Sequence, residues 1–146
     1  YVPQRGSDLG QKMKNAFRHV FNEGFSKAAV IGSDTPDLPR EYIELAFEAM
    51  ESCDAAVGPA VDGGYYLLGF AKQSFFPKVF DKIPWSSSVV CTRTLEVFKK
   101  HLRQIYLLPQ WYDVDTAADL HELLLRNRNT AFCNSRTIRC VFAVEL

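Results

Sequence analysis

The chain has 146 residues, of which 47% are hydrophobic, and this is enough to bury the core of one ordinary domain. Its 17 basic and 17 acidic side chains balance, which disfavours partners such as nucleic acid or an anionic membrane surface. The longest apolar runs fall far short of the roughly 20 residues that cross a bilayer, so no membrane span is predicted.

The first two predicted elements are a helix and a strand. Ser7 and Asp8 can cap a helix whose apolar residues recur at helical spacing, and Gly24 is its expected end. The apolar run at 28–31 is continuous rather than alternating, which predicts a strand buried on both faces. The chain is therefore expected to leave a central strand at Gly32.

The next segment predicts a second helix and two further strands. Pro39 fits the first turn of a helix, and the apolar run at 55–57 follows that helix as a strand. Strand, helix and strand in this order indicate a crossover unit, with 28–31 and 55–57 parallel in one sheet. Residues 62–64 predict a turn, and 65–70 are rich in strand-forming residues.

The last part of the chain predicts two helices around a short strand. Serines at 86–88 can cap the first of these helices, and the run at 105–107 predicts the strand. Thr116, followed three residues later by Asp119, resembles a capping box at the start of the second helix. Residues 127–146 show no clear period, so this helix is expected to end near their start.

Acidic residues follow three of the predicted strands. Because ligands of open parallel sheets bind beyond the carboxyl ends of the strands, these carboxylates could share one Mg²⁺ or Mn²⁺ that neutralises a diphosphate. Structural alternatives stay open, because Asp34 and Asp62 can close turns and Asp37 favours the positive end of the following helix. The structural alternative is weaker for Asp113 and Asp115, which stand outside the predicted helix. The acidic residues in question are Asp34, Asp37, Asp62, Asp113 and Asp115.

Other side chains indicate less specific chemistry. Trp85 stands beside three serines and suits stacking on a sugar or a base, although a core tryptophan is an equal alternative. The 3 histidines have no nucleophile at a telling spacing, and no Walker-type or G-x-G-x-x-G loop is present. Four cysteines without a C-x-x-C pair favour buried free thiols in a reducing cytoplasm. They are Cys53, Cys91, Cys133 and Cys140.

Five stretches together resemble one family: PQRGSDLG, IGSDTPDLP, GPAVDGGYYLLG, IPWSSS and DVDTAADL. In order and spacing they resemble the carboxyl-terminal two-thirds of a bacterial nucleotide-diphospho-sugar transferase-like family with the GT-A fold. The resemblance implies an α/β fold with a three-layer, mainly parallel sheet and helices on both faces. It implies a partial transferase domain over residues 1–126 that lacks the family's first strand and basic nucleotide loop, and an extension of unknown structure over 127–146.

The resemblance also implies roles for residues of this chain. Asp34 would occupy the metal-binding place of a DxD-like motif, with Asp37 close behind it, and Asp113 and Asp115 would face the metal or the diphosphate. Asp62, the candidate catalytic base, would lie with the two glycines after it on the acceptor or sugar side. The residues expected to bind the nucleotide or sugar are Gln4, Asp8, Leu9, Gly10, Gly63, Gly64 and Trp85.

Three functions remain open on these grounds. The first is cation-assisted glycosyl transfer from a nucleotide-diphospho-sugar to an unknown acceptor. The family is also similar in fold to guanylyltransferases of molybdenum-cofactor and phospholactate-derived cofactor synthesis, which makes nucleotidyl transfer with release of pyrophosphate the alternative. The third is a non-catalytic binding module or an incomplete fragment. An uncovered sheet edge is expected, which a longer chain or a partner copy in a homo-oligomer would cover.

Overall fold

In the computed structural model, which describes residues 2–144, the chain forms five α-helices and one four-stranded sheet. The strands are β1 (Lys27–Ile31), β2 (Ala55–Pro59), β3 (Tyr65–Ala71) and β4 (Ile105–Leu107). The α-helices are α1 (Leu9–Asn22), α2 (Arg40–Ala49), α3 (Val90–Lys100), α4 (Ala117–Arg126) and α5 (Arg136–Val144). Short 3-10 helices cover Lys72–Ser74, Pro77–Phe80 and Ala131–Asn134.

The sheet is mixed. β3 lies between β1 and β2 and is antiparallel to both, whereas β2 pairs parallel with β4. The α/β class is confirmed, and the runs at 28–31 and 55–57 lie in one sheet and point the same way. A mainly parallel sheet is not confirmed, because two of the three strand pairings in residues 2–144 are antiparallel. The cause is the tight turn at 60–64, which sends β3 back between the two predicted neighbours.

Apolar clusters cover both faces of the sheet. Alternate residues of β2 point to opposite faces, so Val57 belongs to one cluster and Ala56 to the other. The first cluster is rich in phenylalanine: Phe17 of α1 meets Phe70 of β3 with ring centroids 5.2 Å apart, and Phe98 of α3 packs beside them. The second cluster is built by α2 against β2 and β3. Helices α1 and α3 thus pack on one face, and α2 packs on the other.

Strand β1 is less buried than its sequence predicts. The run at 28–31 was expected to be covered on both faces, but its side chains are half-buried and Ile31 is 38% exposed. The physical reason is position, since β1 is an edge strand that pairs with β3 alone within residues 2–144. Within residues 2–144, β4 is the other edge strand, since it pairs with β2 alone.

The helix ends test the capping predictions directly. Asp8 caps α1 by accepting a hydrogen bond from the backbone of the first turn, as predicted. Thr116 and Asp119 form the predicted capping box at the start of α4. The serine cap predicted for α3 is wrong, because Val89 occupies the N-cap position without a side-chain hydrogen bond. The Ser87 hydroxyl donates instead to a preceding backbone carbonyl at 2.6 Å.

The remaining predictions concern the chain end and single side chains. Residues 127–146 lack a clear period, yet α5 forms within them and buries Ile138; residues 145–146 lie outside the described part. All four cysteines are free thiols, and the prediction of buried thiols is confirmed for Cys91, whereas Cys53 and Cys133 are half-buried and Cys140 is exposed. The histidines are exposed. No helix within residues 2–144 is long and apolar enough to cross a membrane.

Candidate functional site

A cavity of about 760 Å³ lies beside the carboxyl ends of β1, β2 and β4, and this side of the sheet is called the cavity edge below. These strands run in one direction, so the loops after them converge at the same edge, where ligands of α/β sheets bind. Helix α1 and the segment 85–88 form the remaining walls. The predicted site residues that line this cavity are Gln4, Leu9, Asp34, Asp62, Gly64, Trp85, Asp113 and Asp115.

The loop after β1 carries Asp34 into the cavity. A side chain at position 32 would collide with the Asp34 carboxylate, so glycine is what allows that carboxylate to fold back over the strand end. The Thr35 hydroxyl donates to the Gly32 carbonyl at 3.2 Å and tightens the turn. The Asp34 carbonyl accepts a hydrogen bond from the Val114 amide at 2.9 Å. The loop after β1 is therefore joined to the loop that carries Asp113 and Asp115.

The loop after β2 is both a hairpin turn and a wall of the cavity. The Asp62 carboxylate accepts a hydrogen bond from the Gly64 amide at 2.7 Å, which closes the turn. Gly63 has a φ of +94°, and a side chain there would collide with the Ser88 carbonyl. Gly63 does not line the cavity, so its role is close packing against the segment 85–88 rather than contact with a ligand.

The carboxylates of the three loops lie close enough to affect one another. Burial raises the pKa of Asp113 above its ordinary value, and the charges of Asp62, Asp115 and Asp34 raise it further. No salt bridge connects these four acids to a basic side chain within residues 2–144. A bound cation would remove their mutual repulsion.

The chemistry of these donors fits a hard divalent cation. Carboxylate oxygens are the ligands that Mg²⁺ and Mn²⁺ prefer, and Mg²⁺ is typically bound by one or two carboxylates together with substrate phosphates. Within residues 2–144, no group of three or more His, Cys, Asp or Glu side chains is arranged to hold an ion by itself. The residues therefore fit a site that phosphate oxygens complete, rather than a cage made by the protein alone.

Asp37 does not belong with the other predicted metal ligands. Its side chain is 2% exposed, does not line the cavity and pairs with the Arg126 guanidinium. Asn127 and Trp111 donate further hydrogen bonds to the same carboxylate. Burial alone would raise the pKa of Asp37, but the hydrogen bonds from Arg126 and Asn127 and the Arg126 charge outweigh burial and lower it. The prediction for Asp37 is corrected on this ground, since its oxygens are already bonded.

Two other predicted residues support the site without lining it. Asp8 uses its carboxylate to cap α1, where it accepts a hydrogen bond from the Gln11 amide at 2.8 Å. Gly10 is buried beneath the Trp85 ring, and a side chain at position 10 would lie 2.5 Å from that ring. The Trp85 side chain is half-buried and lines the cavity. The lack of a side chain at Gly10 therefore leaves room for the Trp85 ring.

Lys12 is a cavity residue that the sequence motifs do not reveal. It is half-buried on α1 and is the basic side chain among the described residues that line the cavity. No salt bridge to Lys12 occurs in the part of the chain that the structure describes. Helical spacing could have found it, because Leu9, Lys12, Met13 and Ala16 share one face of α1 and line the cavity together.

Comparisons with known proteins show which family and which solved structure this chain is similar to. The bacterial family DUF2064, described as an uncharacterized protein conserved in bacteria, matches residues 1–87. A crystal structure from Desulfovibrio desulfuricans G20, named as a putative nucleotide-diphospho-sugar transferase, is similar with a TM-score of 0.92 and 42% sequence identity. The similarity covers 97% of this chain, which spans 62% of the length of that relative. No curated protein matches the sequence significantly.

The resemblance found in the five sequence stretches is confirmed by this structural similarity. The family match ends at residue 87 and so includes the stretches that carry Asp34, Asp62 and Trp85. The structural similarity extends further, since it covers 97% of this chain.

Proposed function

We propose that this chain, which belongs to the DUF2064 family of bacterial proteins, forms the donor site of a transferase that acts on a nucleotide-diphospho-sugar. The observation that supports this proposal most directly is that four acids line one cavity and form no salt bridge within residues 2–144. They are Asp34, Asp62, Asp113 and Asp115. The similarity to the relative from Desulfovibrio desulfuricans supports the same donor class, because that protein is named for it. The chain spans only part of that relative, so the acceptor and the complete activity are expectations.

The proposed cation is Mg²⁺ or Mn²⁺, held by Asp34 and by Asp113 or Asp115. When bound, it would stabilise the negative charge that develops on the leaving diphosphate. The carboxylates lie on loops tied to each other by the hydrogen bond from the Val114 amide to the Asp34 carbonyl. This link joins the two loops that carry the proposed ligands.

Two other residues of the cavity suit the organic part and the phosphates of the donor. The Trp85 ring packs against Gly10 and lines the cavity, where it can stack on a base or a sugar. The Lys12 ammonium can donate hydrogen bonds to a phosphate oxygen and offset part of the diphosphate charge. Together with the acids, these two side chains would orient a nucleotide-diphospho-sugar in the cavity.

Asp62 is the candidate for the base that accepts a proton from the acceptor hydroxyl. The Gly64 amide donates to its Oδ1 atom at 2.7 Å and orients the carboxylate. The Oδ2 atom is then the one assigned to proton transfer, since a candidate base must lie within hydrogen-bond reach of the acceptor.

A binding experiment on the full chain tests the proposal. Nucleoside diphosphates, their sugar derivatives and nucleoside triphosphates are added with and without Mn²⁺, and the midpoint of thermal unfolding is measured. We expect a cation-dependent rise with a nucleotide-diphospho-sugar, worth about 2.7 kcal/mol at a hundredfold excess over the dissociation constant. The rise should be absent in Asp34→Asn, whereas Asp54→Asn, at the opposite edge of the sheet, should retain it.

Two results would contradict this function. Equal shifts in wild type and Asp34→Asn would remove the cation assignment. A response confined to nucleoside triphosphates, with release of pyrophosphate when a phosphorylated acceptor is supplied, would replace glycosyl transfer by nucleotidyl transfer.

A further inference from the structure

The Asp37 carboxylate accepts hydrogen bonds from three side chains that are distant in sequence. Arg126 donates from Nε at 2.7 Å and from Nη2 at 2.9 Å, one to each carboxylate oxygen. Asn127 donates at 2.7 Å and the Trp111 indole at 3.3 Å. The Arg126 side chain is 20% exposed, so this charge pair is largely shielded from water. Such a two-pronged pair restricts orientation as well as distance.

Trp111 extends this network to the loop after β2. Its amide donates to the Pro59 carbonyl at 3.0 Å, and its carbonyl accepts from the Val61 amide at 3.1 Å. Through its indole it is also bonded to Asp37, which lies in the loop after β1. The Arg126 guanidinium packs on the Tyr112 ring, 4.9 Å from the centroid, beside Trp111. All three loops that carry cavity acids therefore meet around one charge pair.

The cavity acids have little else to hold them in place. The carboxylates of Asp34 and Asp115 are exposed and accept no side-chain or backbone hydrogen bond within residues 2–144. Their positions are consequently set by the backbones of their loops. Any change in the spacing of those loops changes the spacing of the carboxylates.

We propose that Asp37 is a positioning residue: its charge pair with Arg126 holds the loops of Asp34 and Asp115 at the separation that cation-dependent diphosphate binding requires. Asp37 is not itself a ligand in this scheme. The inference rests on the proposed function and adds a residue to it that contacts neither the cation nor the nucleotide. Residues that orient metal ligands without touching the metal are commonly nearly as important for metal affinity as the ligands themselves.

The test measures Mn²⁺ binding by electron paramagnetic resonance, with and without a nucleoside diphosphate, on the full chain. The variants are Asp37→Asn, which keeps the shape but removes the charge, and Arg126→Lys, which keeps the charge but cannot bind both oxygens. Asp34→Asn reports the loss of a proposed ligand. Asp54→Asn is the matched control, because Asp54 also pairs with an arginine, Arg103, at 3.1 Å, but lies at the opposite edge of the sheet.

We expect Asp37→Asn to weaken Mn²⁺ binding in the presence of the diphosphate by about tenfold or more, the loss typical of residues behind metal ligands. Arg126→Lys should weaken it less and should alter the resonance line shape of bound Mn²⁺. Asp54→Asn should lower thermal stability and leave both the affinity and the line shape unchanged. If Asp37→Asn fails to fold, Arg126→Lys and Trp111→Phe test the same network.

Wild-type affinity and line shape in folded Asp37→Asn or Arg126→Lys would overturn the proposal and reduce Asp37 to a stabilising residue. Failure of the proposed function has a different signature, namely no diphosphate-enhanced Mn²⁺ binding in wild type or no loss in Asp34→Asn. Loss in Asp34→Asn with none in the Asp37 network would therefore leave the function standing and remove the positioning role.

Discussion

On the side of the sheet away from the cavity, where β2 begins, Asp54 accepts hydrogen bonds from Arg103 at 3.1 Å and from the Gln104 amide at 2.8 Å. Lys27, the first residue of β1, pairs with Glu51 at the same edge. At the opposite edge, the acids that line the cavity have no basic partner within residues 2–144, although Lys12 faces the same space. Carboxylates that are paired contribute to folding, whereas crowded, unpaired ones are typical of a site that awaits a ligand.

Asp37 shows that position along the sheet is not the whole difference. It belongs to an acid-bearing loop at the cavity edge, yet its partners make it resemble Asp54. The carboxylates of this protein therefore differ in whether they pair with a basic side chain as well as in which side of the sheet they occupy. Substitutions should separate the paired group from the unpaired group by their effect on the free energy of unfolding.

The largest effect is expected for Asp37→Ala. Removing this carboxylate leaves Arg126 shielded and unpaired, which costs about 3–5 kcal/mol for a buried pair. Urea unfolding of wild type, Asp37→Ala, Arg126→Ala and the double variant measures the coupling between the two side chains. A loss below about 1 kcal/mol, the range of exposed ion pairs, would place Asp37 among the unpaired acids and break the comparison.

A smaller loss is expected for Asp54→Ala at the other edge. The Asp54 side chain is 25% exposed and that of Arg103 is 34% exposed, so water screens their attraction more than it screens the Asp37 pair. We expect a decrease of about 1–2 kcal/mol in the free energy of unfolding, between the exposed and the buried ranges. Thermal unfolding with Mn²⁺ and a nucleotide-diphospho-sugar supplies the second measurement. A lost ligand response would show that the two edges are not independent.

The Asp37 pair should also give stability a pH dependence. The pKa of Asp37 is lowered, so its contribution is complete above the unfolded-state pKa and disappears as the pH falls through the folded-state pKa. The difference in unfolding free energy between wild type and Asp37→Asn should therefore stay constant from about pH 7 to about pH 5 and shrink on further acidification, as followed by urea unfolding. A difference that stays constant or grows below about pH 5 would contradict the assigned direction of the pKa shift.

The smallest effect on folding is expected for Asp34→Asn. This side chain is exposed and makes no hydrogen bond within residues 2–144, so its replacement should change the unfolding free energy by no more than about 0.5 kcal/mol. The same change should abolish the cation-dependent response to the nucleotide. Asp119→Asn serves as a contrast, since that carboxylate holds the capping box of α4 and does not line the cavity. A loss of stability in Asp34→Asn without loss of binding would reverse the comparison.

The sequence alone determined what depends on neighbours along the chain. The capping box at Thr116 and Asp119 was predictable because both partners lie within one helical turn. The apolar runs that became β1 and β2 were predictable because burial requires such runs whatever lies beside them. Acids that follow strands, such as Asp34 and Asp62, could be named as site candidates because parallel strands carry their ends to one edge.

The tertiary structure alone decided what depends on distant partners. Periodicity identifies a strand but not its neighbours, so it could not reveal that β3 inserts between β1 and β2 or that β1 lies at an edge. Nothing local distinguishes the carboxylate of Asp37 from that of Asp34, since the arginine that pairs with Asp37 stands 89 residues further along the chain. A carboxylate becomes structural or free for a ligand according to which charge folding brings beside it, and that choice is made across the whole domain.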